Sequence, residues 1–149
     1  MGEIDKTKSY FIATIWPTAS EHVHKITKFI RKRYSGVYME EFDFEISWED
    51  MVRSIYMDDR VKERNIIAKI EVMSKFPKKL YLIYIPVPKP KYRYKKDRRK
   101  LSTAMEKLKK EIRSQYGSKG DASKNPIHIV DEYSHSINYD KFLDSLRWK

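Results

Sequence analysis

A chain of 149 residues is long enough for one core of helices packed on a sheet and too short for two, so a single domain spanning 1–149 is expected. It has no cysteine, which excludes disulfide frameworks, cysteine zinc sites and thiol nucleophiles. Lys and Arg number 32 against 21 Asp and Glu, a formal charge of +11, which favours anionic partners of the phosphate type. No apolar run approaches the roughly 20 residues of a membrane span, and Met1 to Lys6 lack the apolar core of a secretory leader, so a cytoplasmic protein without a membrane partner is expected.

In chain order, residues 1–8 read as a flexible N-terminus. Tyr10 to Trp16 is rich in β-formers and is stopped by Pro17, which cannot continue a central ladder. Ser20 offers a cap for a helix in which Val23, Ile26, Ile30 and Tyr34 recur at helical spacing up to Gly36. From Val37 to Ile46 the period changes to two, with Phe42, Phe44 and Ile46 on one side and Glu41, Asp43 and Glu45 on the other, as in a strand with one wet face. Ser47 and Asp50 resemble a capping pair for a short helix burying Trp48, Met51, Val52 and Ile55. A further helix after Asp58 and Asp59 is carried by Ile66, Ile67, Ile70 and Met73 and ends at Phe76-Pro77.

Leu80 to Ile85 is continuously apolar, as expected of a strand buried on both faces. Residues 86–100, with prolines at 86, 88 and 90 and a basic run, read as an irregular connection. Leu101, Met105, Leu108 and Ile112 mark a helix closed by Gly117, and Ser118 to Lys124 reads as a loop. A short strand, Ile127 to Val130, precedes a last helix bearing Tyr139, Phe142, Leu143 and Leu146. Four strands interleaved with helices predict an α+β domain of the ferredoxin-like (split βαβ) class, a four-stranded mostly antiparallel sheet covered by helices.

Two constellations carry chemistry. In Asn125-Pro126-Ile127-His128-Ile129-Val130-Asp131 a histidine sits within a strand and is turned away from Ile127 and Ile129. In Lys89-Pro90-Lys91-Tyr92-Arg93-Tyr94-Lys95-Lys96, continued by Arg98 and Arg99, aromatics interleave with cations, which suits neutralising phosphates and stacking unpaired bases. His22 and His24, two apart on a helix, face different directions and do not share a metal, and His135 follows His128 by seven, close enough to approach it; no metal site is predicted.

The first constellation resembles the active-site segment Asn-Ile-Ile-His-Gly-Ser-Asp of the nucleoside diphosphate kinase family, with Asn125, Ile127, His128 and Asp131 matching in spacing. Phe11-Ile12-Ala13 with Trp16-Pro17 is similar to the family's opening Phe-Ile-Ala-Ile-Lys-Pro-Asp strand. The helix ending at Tyr56 is similar to one ending in a base-stacking or phosphate-facing tyrosine, and Ile112-Arg113 to the family's phosphate-binding Ile-Arg. The element order agrees from about Ser9 to Phe142.

The resemblance implies a phosphate carrier at His128, nucleotide or phosphate contacts from Asn125, Arg113 and Tyr56, a second arginine for which Arg93 is the candidate and Arg98 and Arg99 stay open, no structural cofactor, Mg accompanying the nucleotide, and a homo-oligomer. Chemically, a neutral imidazole attacks a γ-phosphoryl group while arginine forks and amide donors hold its oxygens. The sequence departs from the pattern at four places: the lysine before proline is Trp16, the aspartate after it is Thr18, Gly-Ser after the histidine is Ile129-Val130, and the glutamate that orients the ring is Tyr139, beside Asp140. Three roles therefore stand open for His128: phosphate carrier, ligand of a modified phosphate site, or packing residue. The alternative function is a nucleic-acid-binding module using the Lys89 to Lys100 surface.

Overall fold

Alternation along the first strand sets the layers of the molecule. In the computed structural model, which describes residues 10–57, 61–87, 91–94, 100–116, 127–130 and 133–147, strand β1 (Tyr10–Ile15) sends Phe11, Ala13 and Ile15 to one face and Ile12 and Thr14 to the other, and all five are buried. A strand covered on both faces belongs inside a sheet, and β1 is flanked by β3 (Lys79–Pro86) and β6 (Ile127–Ile129). With β2 (Tyr38–Asp43) beyond β3, the order is β2-β3-β1-β6 and every pairing is antiparallel. Leu80, Leu82, Ile83 and Ile85 of β3 are fully buried, each worth ~1.5–3 kcal/mol of apolar transfer, which explains why that segment reads as continuously apolar.

Among the described residues, five α-helices cover the sheet. Helix α1 (Val23–Arg31) and α4 (Thr103–Tyr116) bring Val23, Ile26, Ile30, Met105, Leu108 and Ile112 onto the Phe11 face. Helices α2 (Trp48–Ile55), α3 (Glu63–Met73) and α5 (Tyr133–Arg147) bring Trp48, Met51, Val52, Met73, Tyr139 and Leu143 onto the Ile12 face. The Ser47 hydroxyl accepts from the Asp50 amide at 3.0 Å, so α2 starts where the cap signal places it. Gly36, at φ 74°, makes the turn into β2 that a side chain would strain. No described helix is long and apolar enough to cross a membrane.

Four local expectations are corrected. Residues 86–100 are not wholly irregular: β4 (Tyr92–Tyr94) and β5 (Lys100–Ser102) pair as an antiparallel hairpin, because Tyr92 has Phe11 to pack on and Leu101 is buried. Leu101 accordingly belongs to a strand and not to the following helix. Ser20 caps nothing, since Pro17 presets a 3-10 turn over Pro17–His22 that absorbs it, and α1 begins at Val23. Ile67 is 45% exposed, while Lys69 takes a place on the buried side of α3. The expected flexible N-terminus, the closing Gly117 and the Ser118 to Lys124 loop lie outside the described residues.

Candidate functional site

The site forms where the edge strand β6 meets α2 and α5. Period two sends Ile127 and Ile129 into the α1/α4 core, so His128, opposite Thr14 of β1, must face the α2/α5 side. There the residue is only 7% exposed and its ring stands edge-on to Tyr56, centroids 5.0 Å apart. Tyr56 follows the last residue of α2 and lies nearly parallel to Trp16, 6.1 Å away, just past the end of β1. Trp16 meets Trp48, whose indole nitrogen donates to the Phe76 carbonyl at 3.0 Å. An aromatic wall thus runs from the inside of the α2/α3 layer to His128.

Beside the imidazole is a cavity of about 170 Å³. His128, His135, Asn138 and Ser54 supply its polar edges, and Ile55, Val130, Tyr139 and Phe142 its apolar walls. His135 does approach His128, through this shared space. Tyr139, in the position that the resemblance gives to a ring-orienting glutamate, instead shares a 2.5 Å hydrogen bond with the Thr14 hydroxyl. Burial holds the Tyr139 phenol well above its ordinary range, so it remains neutral. Asp140 hydrogen-bonds Tyr10 and is thereby engaged elsewhere. Ile129 points away from the cavity, whereas Val130 lines it.

Burial pushes the His128 imidazole down to about 3, helped by the positive charges of Arg113, Lys109 and Lys69. The ring is therefore neutral at physiological pH and keeps one nitrogen lone pair. Arg113 reaches β6 from α4, where its guanidinium donates to the carbonyl of Ile127 at 3.4 Å, next to His128 in sequence. It sits on the backbone beside the ring and does not line the cavity.

The remaining candidates are distributed differently. Arg93 lies on the hairpin with its guanidinium forked onto Glu106 at 2.7 and 2.8 Å, so the structure gives it an α4 partner and no place among the cavity residues. Tyr92 is half-buried against Phe11 with the Lys100 ammonium 4.4 Å from its ring, Lys91 is exposed, and Tyr94 is 69% exposed. Asn125, Lys89, Lys95, Lys96, Arg98 and Arg99 lie outside the described residues. His22 packs on the Tyr116 ring at 4.9 Å and His24 is exposed. Among the described residues no three His, Asp or Glu side chains converge as metal ligands.

Two contributors escaped the reading of the sequence. Thr14 becomes visible only through strand pairing. Lys69 did leave a signal: it lies three after Ile66 and four before Met73, which is the buried face of α3, but a lysine there reads by default as solvent-facing. No family model matches the chain, and no curated protein matches it.

Proposed function

We propose that the chain is a divergent nucleoside diphosphate kinase-like domain of ferredoxin-like (split βαβ) topology that binds a nucleotide or related phosphate compound at His128. The topology supports this reading: β3 lies between β1 and β2, which α1 joins, and β6 occupies the other side of β1. The observation that carries the proposal is the placement of His128, buried on the inner side of β6 at the border of a cavity edged by Ser54, His135 and Asn138, with the Arg113 guanidinium on the neighbouring Ile127 carbonyl. Among the described residues the charged groups that act on it are the cations Arg113, Lys109 and Lys69, while the ring itself is neutral. A partly desolvated pocket of positive potential favours an anion, and a neutral imidazole can receive one without charge repulsion.

A cavity of about 170 Å³ accommodates a phosphoryl group or a single ring. Whole-nucleotide pockets are larger, roughly 300–1,000 Å³. Binding a complete nucleotide therefore requires the mouth to widen, and Met57, an exposed wall residue just after α2, is the side chain with room to move. In the transfer reaction, an imidazole nitrogen would attack the γ-phosphorus in line; the N–P bond forms as the bond to the β-phosphate oxygen breaks, and the diphosphate leaves with its Mg²⁺. A second diphosphate would take the phosphoryl group back from the histidine.

Incubation with γ-labelled ATP tests both levels of the proposal. An acid-labile label on the wild type that His128→Ala lacks supports transfer; saturable ATP binding without label, weakened by His128→Ala, supports binding alone. Neither label nor binding refutes the reading. A second reading, nucleic-acid binding along the hairpin, has Tyr94 in its favour, a tyrosine held open to solvent beside cations.

A further inference from the structure

The charge of the molecule is unevenly shared between its two helical layers. Helices α1 and α4, which cover the Phe11 face of the sheet, hold seven Lys and Arg against two acids. Helices α2, α3 and α5, on the Ile12 face, hold five against six, so the excess lies on one side. Both acids of the basic layer are already engaged: Glu111 binds Arg33 at 2.5 Å and Glu106 binds Arg93 at 2.7 Å. Val23, Ile26 and Ile30 turn α1 inward, which leaves Lys25, Lys28, Arg31 and, at its C-cap, Lys32 exposed, and Lys107 and Lys110 stand exposed on α4. Among the described residues none of these six has a carboxylate partner. Contacts at both ends of α1 hold it beside α4: His22, just before it, packs on the Tyr116 ring, and Arg33, just after it, binds Glu111. Like charges three and four residues apart on a helix repel, so α1 carries this row at a cost to its own stability. Phosphates standing opposite the row would offset that cost.

The make-up of the face narrows the polyanion. An anionic membrane surface selects helices that bury apolar side chains in it, and the large apolar side chains exposed among the described residues, Met57, Ile67, Tyr94 and Ile137, lie on neither α1 nor α4. Single strands stack their bases on open aromatics, whereas Phe29, Tyr34 and Tyr116 of this layer pack against the core. Duplex RNA is gripped partly through its 2′-hydroxyls. Besides its cations α1 exposes only His24, because Thr27 is buried and donates to the Val23 carbonyl at 2.7 Å.

We propose that the outer face of α1 and α4 is a docking surface for double-stranded DNA, held by its phosphates and indifferent to base sequence. Lys25 to Lys32 extends about 10 Å along α1, roughly three phosphate steps of one strand, with Lys107 and Lys110 on the neighbouring helix. The surface lies on the opposite side of the sheet from the His128 cavity and shares no side chain with it.

The test is fluorescence anisotropy of the full-length protein with labelled DNA duplexes of about 20 base pairs and unrelated sequence, between about 50 and 200 mM salt. The duplexes should bind equally, and the logarithm of affinity should fall against the logarithm of salt with a slope of about −5. The triple variant Lys25→Gln, Lys28→Gln and Lys32→Gln should make that slope shallower by about 2–3. Removing as many exposed cations from the opposite layer, by Lys62→Gln, Lys75→Gln and Lys141→Gln, should leave it within about 1 of the wild type. Every substituted side chain is exposed, so a loss of binding reports the charge and not the fold. Equal effects of the two triple variants would reduce the surface to net charge and overturn the proposal. So would an absence of duplex binding at the lowest salt, tighter binding to the corresponding single strand or RNA duplex, or retention on vesicles of anionic lipid in place of DNA.

Discussion

His128 combines a strand position that directs it inward with a ring that has lost most of its water. Unfolded, the imidazole takes a proton below about pH 6.5; folded, it resists one down to about pH 3. Between those values the unfolded state binds more protons, so the contribution of His128 to stability is complete above pH 6.5 and declines as pH falls toward 3. The slope is about 1.4 kcal/mol per pH unit. On moving from pH 7 to pH 5, urea unfolding of the wild type should lose about 2 kcal/mol more than His128→Gln, which cannot titrate there. The His128 ring proton signals should stay level from pH 8 to about pH 4.5. Equal losses in the two proteins, or a ring midpoint near 6.5, would mean that the imidazole is hydrated and that the desolvated site does not exist.

At the scale of elements, α5 governs the cavity, because it contributes His135, Asn138, Tyr139 and Phe142 to the lining. It is tied down midway by Tyr139 to Thr14 and at its C-terminal end by Arg147. The Arg147 guanidinium binds Asp144 at 2.9 Å and also donates to Glu40 and to the Tyr84 hydroxyl, which in turn donates to Glu40 at 2.7 Å. Arg147 and Glu40 are about a quarter exposed, 26% and 24% by side chain, between the surface pairs that contribute little and the buried ones whose disruption costs several kcal/mol. A double-mutant cycle of Glu40→Gln and Arg147→Met should therefore give a coupling of roughly 1–3 kcal/mol. Amide exchange should quicken along α5 in the single variants, and a coupling near zero would show the ties to be ornamental.

The same scale shows how far the sequence was legible. Elements set by strict periodicity, β1, β3 and α2, lie where the patterns of Tyr10 to Trp16, Leu80 to Ile85 and Trp48 to Ile55 put them, since burial specifies them, whereas β2 ends at Asp43, short of the expected Ile46, with Phe42 its one buried residue. The hairpin of β4 and β5 was hidden because its stability comes from Phe11 and other distant partners, and prolines dominate its local signal. At the site, the inward turn of His128 followed from alternation. The tie of Tyr139 to Thr14 depended on strand pairing that no spacing encodes, whereas Lys69 stood at a buried spacing that its residue type hid.

Across the whole molecule, a charge of +11 draws polyanions from every direction, yet its cations are not equivalent. Several are engaged locally: Arg93 with Glu106, Arg147 with Glu40, Lys79 with Glu41, Arg33 with Glu111. Lys91 and Arg93 of the hairpin stand in water, where salt screens charge over about 10 Å at 0.1 M, whereas His128 is buried, where salt screens much less. The two readings of function therefore separate by ionic strength. Retention on single-stranded RNA, if the hairpin supplies it, should fall steeply between about 50 and 300 mM salt, should weaken in Tyr94→Ala, and should be indifferent to His128→Ala. Pyrophosphate binding at His128 should show the reverse pattern, with a shallow salt slope, indifference to Tyr94→Ala and sensitivity to His128→Ala. RNA retention that collapses in His128→Ala would merge the two surfaces into one site and contradict the separation that burial implies.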